Sequence, residues 1–175
     1  MNHGMWLARI AVALVPALSL TCCSPAAQAP SRLPNVSVTM LDGTSVSLRQ
    51  YSGHPLWINF FATWCPPCAA EIPDIQRWYK EERSHGLVVL GIDREESPDV
   101  VAAFAERRAL SYPIAIDDGA AAEALQVGTL PVSIFVGRDG KILEVRSGEL
   151  DDAAMRAALA TILTMRATKR EEESR

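Results

Sequence analysis

One junction constrains this chain more than any other feature: an apolar run that ends at two cysteines separated by two prolines. Leu56-Trp57-Ile58-Asn59-Phe60-Phe61 has strand length and no polar alternation, the pattern of a strand covered on both faces. Cys65-Pro66-Pro67-Cys68 follows at once, and Ile72, Ile75, Trp78 and Tyr79 then recur at helical spacing to about Arg83. Pro66 and Pro67 suit a first helical turn, where a missing N–H costs little. Pro73 lies inside that helix and predicts a kink. Gly86 stops the helix, and Leu87 to Ile92 reads as a second buried strand. The dithiol therefore sits where a buried strand hands over to a helix within a βαβ unit.

The rest of the chain supplies further elements of the same kind. Val36–Met40 and Ser45–Leu48 are short alternating runs joined by Leu41-Asp42-Gly43-Thr44, a hairpin signal. Ser97-Pro98-Asp99 opens a helix that runs to about Arg108, and Tyr112 to Ile116 reads as a strand. Ala120–Leu125 is a short helix, and Val127-Gly128-Thr129-Leu130-Pro131 is a loop. Val132–Val136 and Ile142–Arg146 are strands about a turn at Arg138-Asp139-Gly140-Lys141, and a closing helix spans Asp151 to about Met165. The order is βαβ, an inserted αβ unit, then αββα. It predicts an α/β fold: a mixed central sheet with helices on both faces. No internal repeat is visible.

The N-terminus reads differently. Residues 1–9 are weakly basic, and Ile10 to Leu20 is an apolar run. It is too short to cross ~30 Å of hydrocarbon as a helix, and fits the core of a secretory signal peptide. Leu20-Thr21-Cys22-Cys23 resembles a bacterial lipobox, with Cys23 as the lipidated residue or, less well placed after Thr21, Cys22. The other reading is a leader with incidental cysteines, cut near Ala27-Gln28-Ala29 or left uncleaved. The expected organisation is a signal peptide over 1–23, an Ala/Pro/Ser-rich tether over 24–34, a domain over 35–168 and a charged tail over 169–175. The chain carries 21 acidic and 17 basic residues, which gives no reason to expect nucleic acid.

Four cysteines are present, and two of them lie in the leader, so the domain has one close pair. It cannot be a disulfide scaffold, and it lacks the clustered ligands of a structural zinc site. At the start of a helix, free N–H groups and the macrodipole favour negative charge, which lowers a thiol pKa at Cys65. Cys68, one turn on, can reach back to close a disulfide. Cys65 is thus the expected attacking thiol on a substrate disulfide, and Cys68 the one that resolves the mixed disulfide. Two other readings stand beside exchange. A stabilising bridge over so short a loop would remove little unfolded-state entropy, and half of a metal site would need ligands that His54 and His85 are not obviously placed to give. No cofactor or metal is expected.

The stretch Trp57-Ile58-Asn59-Phe60-Phe61-Ala62-Thr63-Trp64-Cys65-Pro66-Pro67-Cys68-Ala69-Ala70-Glu71-Ile72-Pro73 resembles the active-site segment of the TlpA/ResA/CcmG-like thiol–disulfide oxidoreductases. The resemblance extends over nearly all of the domain, including the inserted unit from Asp93 to Ile116 and the Gly128-Thr129-Leu130-Pro131 loop. It implies a thioredoxin-like fold with an inserted αβ unit, an exposed nucleophile at Cys65 and a more buried resolving thiol at Cys68. It implies a cis peptide at Pro131 facing the disulfide, with Thr129 and Leu130 presenting backbone to a substrate; a trans proline opening the next strand is the plainer reading. Glu71 matches an acid that, if buried, exchanges a proton with Cys68; otherwise it is an exposed first-turn glutamate. Asn59 would support the site from the strand below, and Trp64 would shield the sulfurs and form part of the docking surface, or simply pack in the core. Phe61, Val132-Ser133 and Gly137 depart from the family pattern without touching the sulfur chemistry.

The same resemblance implies an exported reductase on the outer face of a bacterial membrane. The lipobox pattern would anchor it by lipid, a monomer is the default for such a domain, and a membrane thiol donor of the DsbD type would feed it. Its clients would be protein disulfides such as that of an apocytochrome c. A disulfide-donating oxidant is the opposite direction. A Cu(I)-binding module would use Cys65 and Cys68 as soft ligands, with Met40 and His54 the plausible neighbours. A peroxidase on the related peroxiredoxin-type fold would need an arginine beside its cysteine, and the sequence marks none.

Overall fold

The computed structural model describes residues 30–164. The signal peptide, most of the tether, Cys22, Cys23 and the charged tail lie outside the described residues.

Seven strands form one mixed sheet in the order β2-β1-β5-β4-β3-β6-β7. In chain order the elements are β1 (Ser37–Met40), β2 (Ser45–Ser47), β3 (Leu56–Phe61), α1 (Pro66–Glu82), β4 (Val88–Arg94), α2 (Pro98–Arg107), β5 (Ile114–Asp117), α3 (Ala120–Ala124), β6 (Val132–Val136), β7 (Ile142–Ser147) and α4 (Asp152–Thr164). β3 pairs parallel with β4 and antiparallel with β6, so both its edges are used. The α2–β5 unit is the insertion, and it places β5 between β4 and β1. Arg32 bridges to Lys141, and Leu33 is buried, so the domain takes in residues ahead of 35.

All six residues of β3 are buried, because both faces of the sheet are covered. Trp57 and Phe61 pack under α1, α2 and α4 with Phe104, Ile72, Ile75, Phe135 and Met155. Leu56, Ile58 and Phe60 face the other side, with Leu48, Ala121, Ala122, Leu125 and Ile134. Burying each of these large side chains contributes about 2 kcal/mol. Strand alternation puts Asn59 on the α1 side, between Trp57 and Phe61.

Three local features differ from the sequence expectation or refine it. α1 runs through Pro73 as a single helix. Proline removes the N–H that would bond the Ala69 carbonyl, and the Arg108 guanidinium donates to that oxygen instead, at 2.9 Å. β5 begins at Ile114 rather than Tyr112, since Pro113 has no N–H for the ladder and Tyr112 turns into the core. Gly91 makes room for that turn: a Cβ there would lie 3.0 Å from Tyr112 Cε2 and 3.3 Å from Phe61 Cε1. The first hairpin forms as the Asp-Gly signal predicts, with Gly43 at φ 84°.

Candidate redox site

β3 ends at Phe61, and the next four residues form a tight turn closed by a hydrogen bond from Cys65 N to the Ala62 carbonyl at 3.2 Å. The turn delivers Cys65 as the N-cap of α1, with Pro66 and Pro67 in the first helical turn. Cys65 and Cys68 are joined by a disulfide, with Cα atoms 5.3 Å apart. Cys65 Sγ accepts from Cys68 N at 3.3 Å, and Ala69 N donates to the Cys65 carbonyl at 3.0 Å. Cys68 is 0% exposed and Cys65 only 4%, so the expected order of exposure holds but the outer sulfur is far more covered than expected.

The cover comes from the surroundings. A cavity of about 580 Å³ opens at Cys65, lined by Trp64, Pro66, Pro67, Arg94, Leu130 and the backbone near Gly128 and Thr129. Trp64 is 69% exposed, so it forms a wall of this cavity and does not pack in the core. The Leu130–Pro131 peptide is cis. Thr129 is exposed, Leu130 half-buried and Pro131 buried. Arg94 and Glu95 close the far side of the cavity, a contribution no motif in the sequence announces.

Behind the disulfide lies a buried polar network. Glu71, one turn beyond Cys68, is 2% exposed, which removes the reading of an exposed first-turn glutamate. Its Oε1 accepts from Asn59 Nδ2 at 2.7 Å and its Oε2 from Leu150 N at 3.0 Å. Asn59 Nδ2 also reaches Ser133 Oγ at 3.4 Å, and Trp57 Nε1 donates to that hydroxyl at 2.9 Å. Burial pushes the Glu71 pKa up to about 7; the Leu150 and Asn59 donors pull it down, and the Glu149 charge adds to the rise. A carboxyl held there can take or release a proton at neutral pH. Ser133, read from sequence as a departure that leaves the sulfur chemistry untouched, is the residue that ties β6 into this network; its place on the Asn59 side of a central strand was the available signal.

Met40 lies in β1, and His54 precedes β3 at the end opposite Cys65, so neither stands beside the sulfurs. Among the described residues no three His, Cys, Asp or Glu side chains cluster as metal ligands.

A dithiol capping a helix, a cis-proline loop across a cavity and a buried acid one turn on define a thioredoxin-like redox protein. The comparisons agree. The profile of the AhpC/TSA family matches residues 30–145. The chain is 34% identical over 117 residues to the thiol-disulfide oxidoreductase ResA of Bacillus cereus, covering 66% of this chain and 68% of that one. It is 32% identical over 127 residues to the ResA of Halalkalibacterium halodurans, covering 72% of each. A thioredoxin-family thiol:disulfide interchange protein from Chlorobium tepidum superposes with a TM-score of 0.69 at 27% identity, over 79% of this chain and 99% of that one. The chain belongs to the AhpC/TSA family and is a thiol–disulfide oxidoreductase of the ResA kind, with Cys65–Cys68 as its redox-active disulfide.

Proposed function

We propose that this oxidoreductase works as an exported reductase of protein disulfides, with cytochrome c maturation the best fit among its tasks. The observation that carries the direction is the proline pair. Helix N-terminal amides stabilise a thiolate and so make a disulfide oxidising. Pro66 and Pro67 remove two such amides, which leaves the Cys68 N–H as the one that reaches Cys65 Sγ. A less stabilised thiolate makes the dithiol a better electron donor.

In this reading the Cys65 thiolate attacks a client disulfide in the cavity beside Trp64, Thr129, Leu130 and Pro131. A mixed disulfide forms and one client thiolate leaves. Glu71 takes the proton of Cys68, whose sulfur then attacks Cys65 Sγ. The second client thiolate departs and the Cys65–Cys68 bond closes, so two electrons have passed from protein to client. Asn59 orients Glu71, and Pro66 and Pro67 set the first turn. A membrane dithiol donor of the DsbD type would reverse the last bond. Export, the lipid anchor at Cys23 or Cys22 and the monomeric state rest on the leader pattern and the family likeness.

The test is trapping. Cys68→Ser should stall on clients as a covalent adduct at Cys65 that dithiothreitol releases, with secreted thiol proteins such as apocytochrome c among the captured species. Absence of any adduct, or peroxide consumption far above that of a free thiol, would overturn the reading.

A further inference from the structure

The turn after β4 reaches back to the loop that carries Cys65. Glu96 Oε2 accepts from Thr63 N at 2.6 Å, and Glu96 Oε1 accepts from Thr63 Oγ1 at 2.7 Å. Thr63 is the second residue of the turn Ala62-Thr63-Trp64-Cys65, whose closing bond is made by the Cys65 N–H itself. One carboxylate therefore grips both donors of the corner residue two positions ahead of the attacking sulfur. The grip is aimed by the backbone. Glu95 sits at φ 66°, a left-handed conformation that a non-glycine residue holds only when its surroundings enforce it, and its N–H bonds the Asp117 carbonyl at 3.2 Å. Asp93, at 0% exposure, then accepts from Glu96 N through Oδ1 at 3.1 Å.

Asp93 Oδ2 is buried and has no hydrogen-bond donor among the protein groups. A buried carboxyl oxygen without a donor is best matched by the protonated acid, whose O–H is itself a donor. We infer that Asp93 and Glu96 are positioning residues for the exchange reaction: a carboxyl pair that holds one proton and, through Thr63, holds Cys65 in its attacking geometry.

Burial and the Glu96 neighbour raise the Asp93 pKa to about 7. Burial opposes ionisation of Glu96 too, but the Thr63 donors and Asp93 outweigh it and keep that acid below its usual value. Below neutrality the pair carries one charge and the clamp is intact. Above it both acids are ionised, repel each other, and add negative charge beside Cys65; both effects disfavour the thiolate. The other charged groups on this side are Glu71 on α1, Arg108 at the end of α2, Arg94 at the end of β4 and Glu95 in the turn itself. Of these, Glu71 titrates in the same range, so the test must remove it.

The experiment is the rate of Cys65 alkylation by iodoacetamide in the reduced full chain, across acid to mildly alkaline pH, in a Glu71→Gln background. The expected profile rises less steeply above neutrality than a lone thiol requires. Adding Asp93→Asn, whose amide can still donate to Glu96, should restore the steep rise. Adding Glu96→Ala should move the apparent Cys65 pKa by about one unit, or tenfold in thiolate, and Glu96→Gln should recover part of it. Superimposable profiles for the parent and Asp93→Asn, with an unmoved Cys65 pKa in Glu96→Ala, would overturn the inference. The readout needs only a reactive Cys65, so it stands or falls apart from the direction of exchange.

Discussion

Glu71 shows how one side chain takes its character from its neighbours. Nearly all of its surface is covered, yet two donors hold its oxygens, from Asn59 and from the Leu150 backbone. Its folded pKa of about 7 lies above its ordinary 4.5, so the folded state favours the neutral form. The stability attached to that proton is complete below about pH 4.5 and is lost as pH rises through about 7; the shift corresponds to about 3 kcal/mol as an upper figure. Glu71→Gln should therefore flatten the fall in stability across that window in urea melts, with Asn59 flipping its amide to meet the new Nε2. The residual slope should belong to Asp93, whose pKa is raised to a similar value. The same variant should slow resolution of the mixed disulfide, seen as a longer-lived Cys65 adduct. The close pair Cys65–Cys68, the buried acid one turn on at Glu71 and the cis peptide at Pro131 were legible from spacing and resemblance. The bond from the Leu150 N–H to Glu71 was not, because Leu150 lies 79 positions along the chain, and Ser133 enters the network only through Asn59 and Trp57 on the neighbouring strand.

At the scale of elements, β4 and α1 carry the informative strain. Gly91 sits in the middle of a buried strand, where glycine is otherwise unfavourable, because Tyr112 and Phe61 fill the space above it. Gly91→Ala should cost about 1–3 kcal/mol by overpacking, read as a lower denaturation midpoint with an unchanged slope. The element order was readable from the apolar runs and their caps, because each run is bounded by Gly, Pro or a cap residue. The partner of the carbonyl that Pro73 leaves free was not: that oxygen belongs to Ala69 and finds Arg108, a residue from the inserted unit. The β4–α2 turn was equally silent, since Asp93 and Glu96 have no motif and Thr63, the group they hold, lies 33 positions from Glu96.

Across the whole molecule, sheet order explains why one cavity gathers contributions from three separated segments. β4, β3 and β6 are adjacent, so the turn after β4, the cysteine loop after β3 and the cis-proline loop before β6 meet at one end of the sheet. Trp64 stands exposed at that meeting point. Trp64→Ala should leave stability within about 0.5 kcal/mol while slowing reduction of protein clients far more than reduction of a small disulfide. The balance between donor and acceptor of electrons is also set at this scale, by how much the helix start and its surroundings stabilise the Cys65 thiolate. The most direct measurement is the reduction potential of the Cys65–Cys68 pair, equilibrated against a dithiothreitol or glutathione series. The expected value lies well below about −200 mV, near the thioredoxin figure of about −270 mV. A value near about −120 mV would mark a disulfide donor and contradict the assignment of direction.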